Sequence, residues 1–349
     1  MIDIQHTFRL IKRWSAQIGD YAAAVAWSPD GLRLATASIS GPVQVFARAS
    51  GETGTAWPGH TLGTNTLAWH PDSNLLATGG QDDRVAIWST NRDAPPAMWP
   101  AGGSWVSRVG WSPDGSALIW AADKSVHTCA WPRGNLVAPP AEFPATVADV
   151  AWSPDGNQIA ATAHGGVWLW PPHRFADHRI FPWKGASHLM SWSPDARFIA
   201  TADQDATVHF WFTDRGLDLR MAGYPRKISA LAWDPHSRYL ATASAHALPV
   251  WDCSGPTGPE GRPPLMLEGP EANVISLAYQ RHGTWLAAGY QDGTLVIWEP
   301  GRTLDPLFHQ RPAGIGAIVQ LAWTPDDRCL AAATDQGDVT VYEIVRKNA

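Results

Sequence analysis

Cysteine is scarce. Cys129, Cys253 and Cys329 lie far apart in a chain of 349 residues. Their number is odd and no Cys-x-x-Cys occurs, so neither a disulfide framework nor a thiolate zinc site is indicated. A dominant charge is also missing. Lys and Arg total 26 against 32 Asp and Glu, a formal net charge of −6. That is no field for holding a polyanion, and nucleic acid is not expected as a partner. No apolar run is long enough to span a membrane. The opening MIDIQHTFRLIKRW lacks the hydrophobic core of a signal peptide, so the expected location is the cytoplasm, without a membrane partner. No G-x-S-x-G, H-E-x-x-H or Walker loop occurs, no cofactor is implied, and no segment follows a helical period. Against these absences stands one excess: 21 tryptophans.

The tryptophans fall into a pattern. VAWSPDGLRLATAS, from Val25 to Ser38, returns in altered form along the whole chain. Aligned on the aromatic before each turn, the copies sit at Trp27, Trp69, Trp111, Trp152, Trp192, Trp233, Tyr279 and Trp323, spaced by 42, 42, 41, 40, 41, 46 and 44 residues. Such a period signals a solenoid or a propeller. Each unit opens with an alternating apolar run and then turns, as in Ser28-Pro29-Asp30-Gly31. Proline presets φ, Asp accepts backbone bonds and Gly closes the turn. A second run comes next (LRLATAS, NLLATGG, RFIATAD), then a third ending in an aromatic (RVAIW, TVHFW, TLVIW), and usually a fourth. Period-2 alternation with β-branched and aromatic residues predicts strands throughout, four to a unit.

Four antiparallel strands in about 42 residues make one propeller blade. With Gly59-His60, the W-S-P-D-G turns, the A-T-x-x-x-D stretches and Trp251-Asp252, the chain resembles the WD40-repeat family over nearly its whole length. The resemblance implies an all-β closed propeller and a buried polar clasp of His, Ser or Thr, Asp and Trp in each blade. Only the second unit keeps all four, as His60, Thr78, Asp82 and Trp88. The fifth keeps Thr201, Asp205 and Trp211 without the His, the third has Cys129 in place of the Trp and the first has Phe46. The eight aligned aromatics are expected to pack between neighbouring blades, each removing about 150–250 Å² from water. Eight blades is the expected number, with seven, commoner in the family, as the alternative. The spare strand at 7–14 is expected to complete the last blade as its outer strand, making residues 1–349 one propeller. The Pro/Gly-rich segment 254–264 is expected to be an exposed loop.

A propeller acts through loops around its central channel. Six residues before each aligned aromatic stand Tyr21, Gly63, Trp105, Thr146, Ala186, Lys227, Asn273 and Ala317. Tyr21, Trp105, Lys227 and Asn273, with nearby His188, are the candidate contacts for a protein or peptide, because aromatics and cations dominate interface hot spots. The expected function is therefore a non-catalytic scaffold, monomeric on its own, that assembles partners at the channel mouth. A second reading takes Asp123, His164 and Asp203, at similar places in consecutive units, as a rim for a metal or small ligand. A third is a quinone-dependent propeller dehydrogenase, tryptophan-rich and eight-bladed. It fits less well, because the A-x-D-x-x-T-G-x-x-x-W phrase of those enzymes is replaced here by Trp before S-P-D-G.

Overall fold

The computed structural model describes residues 8–72, 74–91, 96–137, 141–310 and 316–346. Among them the chain is built of β-strands, with one 3-10 turn at Phe175–Asp177. Each S-P-D-G turn launches the next strand. In the first unit Ser28 Oγ donates to Asp30, whose carboxylate also accepts from the Leu32 N–H, while Ser28 Oγ accepts from the Arg33 N–H. The same serine bracket recurs at Ser112, Ser153 and Ser193, so the chain leaves every such turn as an antiparallel strand in one register. That register pairs Trp27 with Leu34, Trp69 with Leu76 and Trp323 with Leu330.

The architecture is an all-β propeller of four-stranded antiparallel blades. Among the described residues the strands form seven hydrogen-bonded sheets rather than the eight expected. The physical cause lies in the fourth and fifth units. Arg179–Trp192 runs as one unbroken strand from the rim of one unit into the inner edge of the next, and pairs with both Ile159–Trp170 and Phe198–Asp203. These two units therefore share a six-stranded sheet. The third unit has five strands, the fifth contributed by the short Ala141–Glu142.

Phe8–Gln17 pairs antiparallel with Asp338–Arg346, from Phe8 opposite Arg346 to Gln17 opposite Asp338. It thus lies outermost in the sheet of the last unit; Thr7 is outside the described residues. The 254–264 segment is not uniformly exposed. Its Gly258 and Pro259 are buried, while Arg197 and Arg215 donate to the carbonyls of Gly255 and Pro256. Gly258 has φ +59°, and a Cβ there would stand 2.7 Å from the Phe210 ring. The loop therefore folds down onto the fifth unit and needs glycine at that point of contact.

Two polar belts tie unit to unit. In the first, the indole N–H of Trp27, Trp69, Trp111, Trp152, Trp233 and Trp323 donates to the carbonyl just before the aromatic of the preceding unit, at 2.9 to 3.3 Å. Trp27 donates to Ala322, so the first and last units are neighbours. Trp192 Nε1 and the Tyr279 hydroxyl are buried without a partner among the described residues. The second belt runs the other way. Six inner strands carry a β-bulge three to five residues before the aromatic. A bulge frees a backbone carbonyl from the ladder, and side chains of the preceding unit bond carbonyls in this stretch. Asn65 donates to Val106, Ser107 to Val147, His188 to Ile228, Ser229 to Val274, Ser276 to Ile318 and Gln320 to Ala23.

Candidate functional site

All inner strands begin at one end of the channel and reach their Ser-Pro-Asp-Gly-type turns at the other. At the turn end, Val25, Trp27, Pro194, Trp233, Tyr279 and Trp323 help line a basin of about 480 Å³. At the opposite end, the mouth, large apolar side chains stand in solvent. Trp105 is 62% exposed, Leu62 66% and Tyr21 39%. They project from the starts of the inner strands of the first three units in succession. Lys227 is exposed at the same level of the sixth unit. Asn273 is half-buried, its Nδ2 donating to Gln291 Oε1 at 2.9 Å.

His188 is differently employed. Its Nε2 donates to the Ile228 carbonyl at 2.8 Å and its Nδ1 is buried without a partner among the described residues. Burial, with Lys227 nearby, holds its pKa below the ordinary imidazole value. It is a strut between units and not a free contact.

Asp123, His164 and Asp203 do not come together. Among the described residues, no group of three or more His, Cys, Asp or Glu could hold a metal ion. The reason is register. Asp203 lies four residues after Ile199, which pairs with Trp211; the same count from Leu118 reaches Ala122, one residue short of Asp123. One step along a strand turns a side chain to the opposite face. Asp203 is consequently fully buried, while Asp123 and His164 are exposed. Asp123 is occupied locally, accepting from Thr146 Oγ1 at 3.0 Å in a turn with φ +47°.

The second unit carries the full clasp. His60 Nδ1 bonds Asp82 at 2.8 Å and Nε2 meets Thr78 Oγ1 at 2.9 Å, while Trp88 Nε1 donates to the same hydroxyl at 2.8 Å. A further clasp in the sixth unit is not visible from motif matching. Tyr224 stands nine residues before Trp233, as His60 stands nine before Trp69. Its hydroxyl accepts from Trp251 Nε1 at 3.0 Å and meets Thr242 at 2.9 Å, and burial raises its pKa to about 12. In the fifth unit the same offset falls on Trp183.

An ion pair also spans the channel wall. Arg108 Nε and Nη2 donate to the two oxygens of buried Asp149 at 2.9 and 3.3 Å, and Asp149 raises the arginine's pKa in return. Asp149 Oδ2 takes a second bond from the Met190 N–H, reaching the fifth unit. A readable signal existed: opposite charges stand three residues before the aromatic in adjacent units.

Comparison with known proteins agrees with this architecture. The family model described as WD domain, G-beta repeat matches residues 51–89, 139–171, 187–211, 219–252 and 261–299. Human coronin-7 is 27% identical over 152 residues, covering 40% of this chain and 16% of that protein. Ectopic P granules protein 6 of Caenorhabditis elegans is 29% identical over 89 residues, or 25% and 23% of the two chains. An uncharacterized WD repeat-containing protein of Schizosaccharomyces pombe is 33% identical over 85 residues, or 24% and 15%. The chain thus spans less than a quarter of the length of each of these relatives. With repeat matches distributed from residue 51 to residue 299 over antiparallel blades joined by their indoles, the chain belongs to the WD40-repeat family.

Proposed function

We propose that the chain is a non-catalytic scaffold that holds a protein or peptide segment at the channel mouth, on a ring of eight blades closed by Phe8–Gln17. Eight aligned aromatics support the count, and the six-stranded sheet reads as two blades sharing the Arg179–Trp192 strand. The bond from Trp27 to Ala322 and the pairing of Phe8–Gln17 with Asp338–Arg346 support closure.

The observation that carries the functional reading is the exposure of Trp105, at 62%, in a chain whose other tryptophans are buried or half-buried. An indole held in solvent on a rigid strand end offers a large apolar contact at little entropic cost, and such residues dominate binding energy at interfaces. Tyr21 and Leu62 extend the apolar arc and Lys227 adds an ammonium group across the mouth. What the mouth presents is thus apolar and cationic surface suited to recognition. The same reading makes the protein cytoplasmic and monomeric before it meets its partner; its cysteines are buried free thiols, which suit a reducing compartment.

The test is quantitative capture from a lysate of the source organism with the wild type, Trp105→Ala, Lys227→Ala and, as a control on an outer strand, Met98→Ala. Loss of a central aromatic anchor is worth about 2 kcal/mol or more, so Trp105→Ala should reduce recovery of the main partner about thirtyfold while Met98→Ala leaves it unchanged. Equal recovery by Trp105→Ala and Lys227→Ala would place the binding face elsewhere.

A further inference from the structure

We propose that the fifth unit carries a proton-loaded latch, in which one proton shared by Asp203 and His209 completes a polar relay across all four strands and its loss at alkaline pH loosens that part of the ring. The relay begins on the inner strand, where Ser187 Oγ donates to Asp203 Oδ1. Asp203 is on the second strand, Phe198–Asp203, and His209 on the third, Val208–Phe212. Asp218 starts the outer strand, Asp218–Met221, and its Oδ2 lies 2.6 Å from His209 Nδ1. Asp203 and His209 are almost completely buried, at 0% and 1% exposure.

The chemistry of the middle step is set by these bonds. With an N–H on Nδ1 donating to Asp218, neutral His209 turns a lone pair at Nε2 toward Asp203. Nε2 and Asp203 Oδ2 are 3.8 Å apart, and neither has a hydrogen-bond partner among the described residues. With no proton between them, two acceptors face each other where water is excluded, an arrangement strongly disfavoured. One proton resolves it. An O–H on Asp203 donates to Nε2, or an N–H on Nε2 donates to the carboxylate; the proton count is the same and the pair titrates as a unit. The separation exceeds a formed bond but falls short of the roughly 4.5 Å that a bridging water needs, so the pair closes directly by a small shift.

Burial favours retention of that proton and outweighs the Ser187, Thr207 and Thr201 hydroxyls, which favour the ionised carboxylate. Burial is the main influence on both residues, raising Asp203 to about 7 and pushing His209 below its ordinary value. Asp205 in the turn repels charge on Asp203 and favours charge on His209, as does Asp218 on the outer strand, while Arg220 opposes charge on His209. Trp183 packs against the His209 ring, with centroids 3.9 Å apart. In the unfolded chain Asp203 would release its proton near pH 4. Its folded value is higher, so the stabilisation is full below that pH and lost as pH rises through about 7. The positions aligned with Asp203 in other units include Gly80, Ala122, Ala163 and Tyr290, so those units have no such relay. Ser187 precedes His188, the strut to Ile228, which carries the effect to the channel mouth.

The test uses amide hydrogen exchange across residues 198–221, corrected for intrinsic rates, from pH 6.0 to 8.5, on the full chain and on Asp203→Asn. The asparagine amide donates to Nε2 at every pH and holds the latch closed. Wild-type protection should fall severalfold, up to about tenfold, between pH 6.0 and 8.5, with most of the fall complete by pH 7.5, while Asp203→Asn shows no such fall. A flat wild-type profile, or an equal fall in the variant, overturns the proposal. Should the variant fail to fold, 15N shifts of His209 in the wild type decide: a change in Nε2 centred near pH 7 supports the shared proton, and an unchanging lone-pair signal from pH 6 to 8.5 refutes it.

Discussion

Replacing Ala288 by threonine should stabilise the protein, although the substitution adds a polar group to a fully buried site. Trp298 is 0% exposed and its indole N–H has no partner among the described residues. In three other units the aligned tryptophan donates to a threonine on the second strand: Trp88 to Thr78 at 2.8 Å, Trp211 to Thr201 at 3.2 Å and Trp251 to Thr242 at 3.3 Å. The register is common to them. Thr78 lies two residues after Leu76, which pairs with Trp88, and Ala288 lies two after Leu286, which pairs with Trp298. A buried donor left unmatched costs about 1–3 kcal/mol. The added methyl and hydroxyl crowd a packed strand, which takes back up to about 1 kcal/mol. The net expectation is about 1 kcal/mol of stabilisation. With an unfolding entropy of about 2.1 cal/mol/K per residue, 349 residues give about 0.7 kcal/mol/K, so the midpoint should rise by about 1.4 °C. Because packing could mask so small a shift, the decisive comparison is with Ala288→Val, which has the same shape and no hydroxyl. Urea unfolding followed by tryptophan fluorescence should place the threonine variant about 1–2 kcal/mol above the valine variant. Equal stabilities would mean that the hydroxyl does not reach Nε1, and the alignment of the seventh clasp with the others would be wrong.

Other substitutions probe the joints between units. Trp27→Phe removes the bond to Ala322 and should cost about 1 kcal/mol more than Trp192→Phe, whose indole N–H has no partner to lose; matched denaturation curves showing equal losses would remove the indole belt from the account of stability. Asp327 reaches from the last unit to accept from the backbone N–H groups of Arg281, His282 and Gly283 at 2.6 to 2.9 Å. Asp327→Ala should therefore destabilise by about 2–3 kcal/mol in chemical denaturation, as loss of an ionised acceptor does, whereas a cost under half of that would mark the carboxylate as replaceable by solvent.

The repeat was legible because its determinants are local. A proline before an aspartate, an aromatic before the turn and alternation after it each act within a few residues, so Trp27, Trp69 and Trp111 announce their strands without reference to the rest of the chain. What escaped depends on register or on neighbours. Asp203 and Asp123 look alike in a linear alignment, yet a single residue of offset buries one and exposes the other. Tyr224 takes the place of the clasp histidine through a different functional group, a substitution that motif matching rejects and geometry accepts. The bulges that expose carbonyls to Asn65, Ser276 and Gln320 have no residue signature of their own, and the use of His188 as a strut emerges only once the next blade is in place. The joining of the fourth and fifth units has a similar origin: nothing between Trp183 and Ser187 ends the strand, and its ladder only shifts register there, from Gly166 opposite Pro182 to His164 opposite Ala186.

The two belts identify where the ring is least secured. The joints between units two and three, three and four, five and six, seven and eight, and eight and one hold both an indole bond and a side-chain bond to an inner-strand carbonyl. The joint between one and two has the Trp69 indole bond, because Ala23 and Ala24 stand where the other inner strands carry a donor. The joint between six and seven has the Ser229 bond, because Tyr279 replaces the indole and its hydroxyl is left buried and unmatched. Between four and five the Trp192 indole is likewise unmatched, and the unbroken strand, with Asp149 bonded to Met190, takes over. The joint between units eight and one is thus among the doubly bonded ones, and Phe8–Gln17 adds a full ladder to the sheet of unit eight. These two units are far apart in sequence, and Trp27 and Gln320 supply both belts between them, as in the other doubly bonded joints. Opening under stress should therefore begin at the joint between units six and seven, where the Ser229 bond is the one belt bond and the Tyr279 hydroxyl is buried unmatched, before the joint between one and two, where Thr64 also donates to the Gly41 carbonyl and Arg33 to Thr90; Ser229→Ala should speed amide exchange in the inner strand Val274–Tyr279 more than Trp69→Phe does in Thr64–Trp69.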